Sequence, residues 1–474
     1  MIILNGATIP SFVKVNKVGF SILPPIENKL LQARGKKGSY FMNQDLGTRE
    51  ITVAITIISE EINGVMGDTR LLAEWLYHEK PVTLVVADEP DKSYMVLPSG
   101  DTKLDELANY GTGEITFVCT EPFAYGAEKS FTYSPVDETP FEVFVNGSTE
   151  THGVFELTMK QNVSEIHLIS DDGFVTVGKA TSVDETVIDA KPLQVHDQMQ
   201  SLTGWTTGIS VDGGAITGEM ESTGYAFRPK TYGTGSTWHG SALVKTLPAT
   251  LKDFDIDMDF TLDASKDSEV VRVELYLYDA NNNVLGKIAL ADKTANKTSQ
   301  TFEARVGTLQ AGKYFVQETG YAWTNFTGQV SISRVGKTWT AWIGKYDSVK
   351  KQYHSRMTKT WVDKTGVWGA DLAKVQVHIG GHGTLKAPTS GVYISDLKIY
   401  NRLTLATGQA PIIAKVGDTI TVDNERAIVL KNGKPFYEGL HPDSKFFGLK
   451  QGANGIVLSP ASADVSVSFK ERWL

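Results

Sequence analysis

Four aspartates stand at every second position of KDFDIDMDF, residues 252–260: Asp253, Asp255, Asp257 and Asp259. Such a row invites a cation. In an extended chain, however, residues two apart share a face and lie about 6.5–7 Å from each other, too far for one ion to hold the whole row. The stretch also lacks the central glycine and closing glutamate of an EF-hand loop. Its alternation with Phe254, Ile256, Met258 and Phe260 reads as a strand with an apolar face and a solvated acidic one. The row therefore implies no metal and no cofactor, with a structural Ca2+ held by Asp side chains and a loop carbonyl as the alternative.

Other reactive residue types are thinly spread. Hydrolysis of a glycoside needs two carboxylates facing each other across a groove. Glu274 in RVELYLYD could supply one, and nothing in the sequence distinguishes a second. His378 and His382 in HIGGHGT are four apart, but the glycines between them disfavour the helix that would aim both at one ion. Ser236 and His239 in GSTWHG lack the frame of a nucleophile elbow. The single cysteine, Cys119, lies in the alternating run EITFVCTEPF and reads as a small buried strand residue. No catalytic residue is singled out, and the chain reads as a non-enzyme.

Aromatic residues carry the stronger signal. Seven of the nine tryptophans fall between residues 197 and 402, in a stretch rich in Gly, Ser and Thr. Flat rings on β-sandwiches bind sugar faces well, because they offer a large rigid apolar area at low entropy cost. Trp238, His239, Tyr321, Trp323, Trp361 and Trp368 stand near Gly, Thr or Asn and are the candidates for saccharide contact. Trp339 and Trp342 are three apart in GKTWTAWIGKYD, so a strand points them to opposite faces; Trp339 is expected in the core.

The elements that would hold these residues are mostly strands. Residues 1–130 read as strands plus one helix. Ile51, Val53, Ile55 and Ile57 recur at a period of two. GDTRLLAEWLYHEKP predicts a helix capped by Asp68, with Leu71, Leu72, Trp75 and Leu76 on its apolar stripe and Pro81 as its stop. Leu30–Glu50 reads as an exposed hairpin or arm, and Pro122 is expected to end the last strand of this region. Residues 131–196 and 403–474 share a texture of short strands with Asn146-Gly147 and Asn432-Gly433 as hairpin turns. Each is too small for a sandwich alone. Together they suffice, which makes 197–402 an inserted all-β domain of jelly-roll size. A net charge of -9 argues against nucleic acid as a partner. No apolar run is long enough for a membrane span, and the start lacks the features of a signal peptide, so synthesis and folding are expected in the cytoplasm.

At the two ends the chain resembles the distal tail proteins of long-tailed phages that infect Gram-positive bacteria. The resemblance rests on IILNG, GTREITVAITI, the helix with Trp75 and GTGEITFVCTEPFAYG in the first 130 residues. Near the end it rests on GDTITVDNERAIVLKNG, FFGLKQGANGIVLSP and VSVSFKERWL. It implies a mainly β fold: a ring-forming belt domain of strands plus one helix, then a galectin-like β-sandwich interrupted by the insertion. It further implies a homo-hexameric ring at the tip of the virion tail, joining the tail tube protein to a tail-tip, tail-associated lysin or baseplate protein. Extended members carry a carbohydrate-binding domain within the sandwich, which implies host cell-wall saccharide as a partner. Arg34, Lys36 and Lys37 of the arm would suit an acidic surface on a neighbouring subunit. A purely structural insertion that braces the tip, or a cell-wall glycan hydrolase, are the alternatives.

Overall fold

The computed structural model describes residues 2–60, 64–100, 104–107, 110–179, 184–264, 266 and 268–474. Strands dominate them, with one α-helix and two short 3-10 turns. The chain forms two compact units. One takes residues 1–179, 414–431 and 435–474; the other takes residues 180–413 and 432–434.

The first unit is organised by one long strand, Tyr110–Tyr133. Its first half pairs with Arg49–Ile58, from Tyr110 opposite Ile58 to Cys119 opposite Arg49. Its second half pairs with Ala463–Trp473, from Ala124 opposite Trp473 to Tyr133 opposite Val465. Pro122 does not end the strand. It sits between Cys119 and Ala124, where the register with Ser93–Ser99 shifts, so its missing N–H removes no ladder bond. Arg49–Ile58 buries Ile51, Val53, Ile55 and Ile57 on one face, as their spacing predicts. Cys119 is buried among them, and burial pushes its thiol up to about 11.

Strands from either side of the second unit's sequence interleave in the first. Val154–Met159 lies between Ala463–Trp473 and Thr419–Asp423. A separate sheet runs Phe141–Val145, Gly452–Ser459, Glu165–Ser170, Gly173–Gly178. Asn146-Gly147 closes no hairpin, because Phe141–Val145 pairs with Gly452–Ser459. Instead the Asn146 N–H donates to Glu471 Oε1 at 2.7 Å, and a Cβ at Gly147 would come within 2.5 Å of the Arg472 carbonyl oxygen. Asn432-Gly433 does turn, with φ of 50° and 76°, the two positive values of a tight turn.

The helix is Val65–Leu76, earlier than its sequence signals suggest. Asp68 lies inside its first turn and does not cap it; Gly64 is the N-cap. The helix ends before Pro81, which precedes the strand Val82–Val86. Val65 and Leu72 are buried and Trp75 and Leu76 pack against the core, but Leu71 is exposed. The arm is a hairpin, in which Ile26–Leu31 pairs with Tyr40–Leu46 as a two-stranded sheet.

The second unit is a sandwich of two eight-stranded sheets. Phe254, Ile256, Met258 and Phe260 from one sheet share a core with Val271, Val273, Leu275 and Leu277 from the other. Trp339 is fully buried beside Phe254, their rings 5.8 Å apart and edge to face. We expect Phe254→Ala to lower stability by about 3–5 kcal/mol, since a fully buried ring leaves a cavity. Urea unfolding followed by tryptophan fluorescence would show the loss as an earlier midpoint.

Candidate functional site

The acidic row is not a solvated face. Its carboxylates are half-buried and each is answered by its own donors. Asp253 accepts from the Gly336 N–H, Asp255 meets Lys191 at 2.8 Å and Arg402 at 3.3 Å, Asp257 accepts from the Ser331 hydroxyl and meets Lys434 at 3.4 Å, and Asp259 accepts from Gln329. These contacts follow from position: the row lies on a central strand flanked by Phe326–Val335 and Val392–Asn401. Among the described residues no three His, Cys, Asp or Glu side chains are grouped to hold a metal ion.

Beside the row stands an aromatic platform. Trp342 meets Tyr353 edge to face at 5.1 Å, and Tyr353 meets Tyr346 at 5.0 Å. The Lys434 ammonium lies 4.7 Å from the centre of the Trp342 ring. The strand pair Thr338–Asp347 and Gln352–Val362 positions all three rings on the side opposite Trp339. The tryptophan spacing exposes Trp342; nothing in the sequence marks the two tyrosines.

The six ring candidates do not form one site. Tyr321 is 73% exposed in a single 3-10 turn, but Trp323 in the same turn is 4% exposed and donates its indole N–H to the Ser355 carbonyl. Trp238 is half-buried, with the Arg272 guanidinium 4.6 Å from its ring centre and His382 edge-on at 5.0 Å. His239, its neighbour in the strand, turns the other way and is 5% exposed. Trp361 stacks on Phe315 at the margin of the core. Trp368 covers Gly307, where a Cβ would come within 2.2 Å of the indole. His239 and Trp323 thus present no open ring, because sandwich packing claims their faces. Arg34, Lys36 and Lys37 sit at the exposed tip of the arm, and the Lys36 ammonium rests 3.0 Å from the centre of the Tyr40 ring.

The second sheet has a polar outer face that is buried as deeply as its core face. Arg272, Glu274, Tyr276 and Tyr278 alternate with core residues along Val271–Tyr278, and all eight residues are buried. Glu274 accepts from Tyr276, Lys287 and His378, each at 2.8 Å, and pairs with Arg272 at 3.1 Å. Burial pushes its carboxyl up, but Arg272 and Lys287, with the His378 hydrogen bond, hold it well below the usual carboxylate range. Burial also lowers His378, so its neutral ring donates Nδ1–H to Glu274. Glu303 pairs with Lys287 at 3.6 Å and with Lys293. Glu274 was legible as a lone acid; its partnership with Lys287 and His378 was not, because they arrive from two other strands.

Asp257 and Asp259 show how local charge decides ionisation. Burial would raise both. Lys434 and Lys191, with the Ser331 hydroxyl, hold Asp257 below its ordinary value. For Asp259 burial prevails over the Gln329 hydrogen bond, and the nearby Asp257 and Asp396 add to it, pushing the carboxyl up to about 6. A raised folded value means that stability falls as pH climbs from about 4 through 6. Asp259→Asn is expected to stabilise the protein by about 1–3 kcal/mol at pH 7 and by little at pH 4. Thermal unfolding of both proteins at the two pH values checks it.

Two family models match the sequence. A phage tail protein RIFT-related domain covers residues 10–119, and the C-terminal domain of a Siphovirus-type tail component covers residues 385–473. No curated protein matches. Among solved structures, the chain is similar to the SPP1 Dit protein, described as a hub adsorption apparatus of phages infecting Gram-positive hosts, at 9% identity and TM-score 0.41, with 100% of this chain and 98% of that one covered. It is also similar to the CBM2 module of an evolved Dit from Lactobacillus casei BL23 phage J-1, at 14% identity and TM-score 0.39, with 46% of this chain and 98% of that one covered. A family GH16 endo-glucanase matches at 8% identity and TM-score 0.32, covering 51% of this chain and 97% of that one. The two tail-protein domains, in the order that the end motifs imply, place the chain among the Dit-like phage tail proteins.

Proposed function

We propose that the chain is the hub of a phage tail tip: a homo-hexameric ring that joins the tail tube to a tip or baseplate protein, while its second unit binds host cell-wall saccharide during adsorption. The observation that carries the ring is the arm. A two-stranded hairpin is marginal by itself in water. This one also exposes Leu30, Leu31, Tyr40, Phe41 and Met42, and Leu30 stands opposite Phe41 in the register. A closed ring buries such a surface in every copy, because one heterologous contact repeats around the axis. The basic tip at Arg34, Lys36 and Lys37 then meets an acidic neighbour. Assembly takes place after synthesis in the host cytoplasm.

The saccharide reading is supported by the Trp342, Tyr346 and Tyr353 platform, where rings adjoin half-buried carboxylates and amides suited to hydroxyl groups. Tyr321 and Trp238 are further ring contacts in this proposal. It is a binding role, not a hydrolytic one. What supports this is the state of Glu274, which is buried, held ionised by two cations and without a proton to give.

Light scattering behind a sizing column tests the ring. A hexamer of this 51.8 kDa chain has a mass of about 310 kDa. We expect Leu30→Ser with Phe41→Ser to reduce the mass toward that of a monomer without lowering the unfolding temperature. A stable wild-type monomer, alone and with the tail tube protein, would overturn the ring. For the saccharide, we expect Trp342→Ala to weaken binding of the full-length protein to purified host wall polysaccharide by about tenfold or more, a loss of roughly 1–3 kcal/mol for one ring. Unchanged binding would exclude the platform.

A further inference from the structure

The polar outer face of the second sheet is closed by a short segment of the chain itself. Residues 208–214, GISVDGG, cross it. On one side the segment is anchored by Thr206–Thr207, paired with Leu243 and Val244; on the other by Gly214–Ile216, paired with Trp238 to Gly240. Between these anchors the hydrogen bonds of residues 209–213 run to side chains of the sheet. The Ser210 carbonyl accepts from Tyr278 at 3.0 Å and from Gln376 at 2.6 Å. The Asp212 carbonyl accepts from Arg272 at 2.9 Å. The N–H groups of Ile209 and Asp212 donate to Gln376 and Tyr276. The Asp212 carboxylate takes both terminal nitrogens of Arg305, at 2.6 and 3.2 Å, and meets Lys287 at 3.0 Å.

The segment therefore fills the face the way a ligand would. It supplies one carboxylate, two acceptors and two donors, and its outer side is solvent-exposed at Ser210, Gly213 and Gly214. The sheet beneath carries a surplus of positive charge. Arg272, Lys287, Lys293 and Arg305 face Glu274 and Glu303, an excess of two that Asp212 reduces to one. His378, fully buried, keeps its Nε2 without a hydrogen-bond partner among the described residues. Gly208 and Gly214 let the segment lie close to the sheet, since a Cβ would come within 2.6 Å of the Ala242 Cβ at the first and 2.1 Å of the Trp238 carbonyl oxygen at the second, and Gly213 holds a φ of 58°.

From these contacts we propose that the outer face of this sheet is a closed binding site for an acidic saccharide, and that residues 208–214 are a strap that occupies it until such a ligand takes the place of Asp212. The inference rests on the saccharide-binding reading and deepens it. The ligand is a sugar or polyol chain bearing carboxylate or phosphate. Its anionic group takes the bidentate place on Arg305, and its hydroxyls take the places of the Ser210 and Asp212 carbonyls on Tyr278, Gln376 and Arg272. Trp238, beside the strap's second anchor and against Arg272, stands at the rim.

The test uses full-length protein with three probes: oligogalacturonate, poly(glycerol phosphate) and a neutral β-glucan oligosaccharide. Calorimetry reads binding at low and high salt, and hydrogen exchange with mass spectrometry reads residues 208–214 against the strand Val271–Tyr278. We expect at least one acidic probe to bind in a salt-sensitive way, with faster exchange in the strap and none in the strand. Which acidic probe binds distinguishes uronate from phosphate. Asp212→Asn, which weakens the strap's hold on Arg305 and raises the open population, is expected to tighten that binding about tenfold. If the variant does not fold, the exchange result on the wild type decides alone. Binding of an acidic probe with strap exchange unchanged or slowed overturns the proposal. Binding of the neutral probe alone overturns it and leaves the saccharide reading standing. No binding of any probe overturns both.

Discussion

A charge taken out of water must be answered by other charges at short range. Glu274 imposes that constraint on the second unit. It is 1% exposed on its side chain, so Arg272, Lys287, Tyr276 and His378 must all point at it. Removing one partner from such a cluster costs about 3–5 kcal/mol, because the survivor stays buried and uncompensated. With Lys293 and Arg305 the cations of this face outnumber Glu274 and Glu303, and Asp212 enters from outside the sheet to pair with Arg305 and Lys287. One buried carboxylate on a central strand thus fixes where Arg272, Lys287, Tyr276 and His378 point on the polar face.

The first unit depends on a different constraint. Every ladder bond of a sheet must be made or its edge covered. The strand Tyr110–Tyr133 satisfies this by changing partners midway, giving its first half to Arg49–Ile58 and its second to the chain's final strand. The change of partners is what admits Pro122. The arm is the exception, a two-stranded sheet with exposed apolar rings and, among the described residues, no further strand beside it. That is why a surface on another copy is the natural place to look for its missing contacts.

The alternating strands were plain in the sequence because burial on one face imposes a period of two. Ile51 to Ile57 and Phe254 to Phe260 show it. Where both faces are buried the period carries less information. Val271–Tyr278 reads as a hydrophobic run with stray charges, and only the fold shows that Arg272, Glu274 and Tyr276 line one covered surface. Helix limits misled because Asp68 satisfies the preference for an acid in the first turn as well as that for a cap. Asn146-Gly147 misled because its turn potential is local, while the pairing of Phe141–Val145 was decided by a strand some 300 residues away. Trp368 shows a similar limit: a glycine near a tryptophan marks an exposed loop as readily as it marks the space into which the ring packs, as Gly307 does for Trp368.

The two sites proposed on the second unit, the strapped face and the aromatic platform, would suit different tasks. The platform needs no opening, so its affinity is whatever stacking supplies. The strapped face loses affinity by the fraction of time it is open, since only the open state binds. In a lone subunit that loss would make the closed site a poor receptor. In a ring it changes the logic. If six such platforms met one cell surface, as proposed above, they would raise the local concentration of wall polymer around each copy, and weak contacts would become collectively strong. The closed site then competes for ligand at that raised concentration, not at the concentration in free solution. A strap held by the Asp212 pairs with Arg305 and Lys287 and a few hydrogen bonds would suit such a regime under this proposal: closed on a free virion, and displaced where acidic polymer is dense.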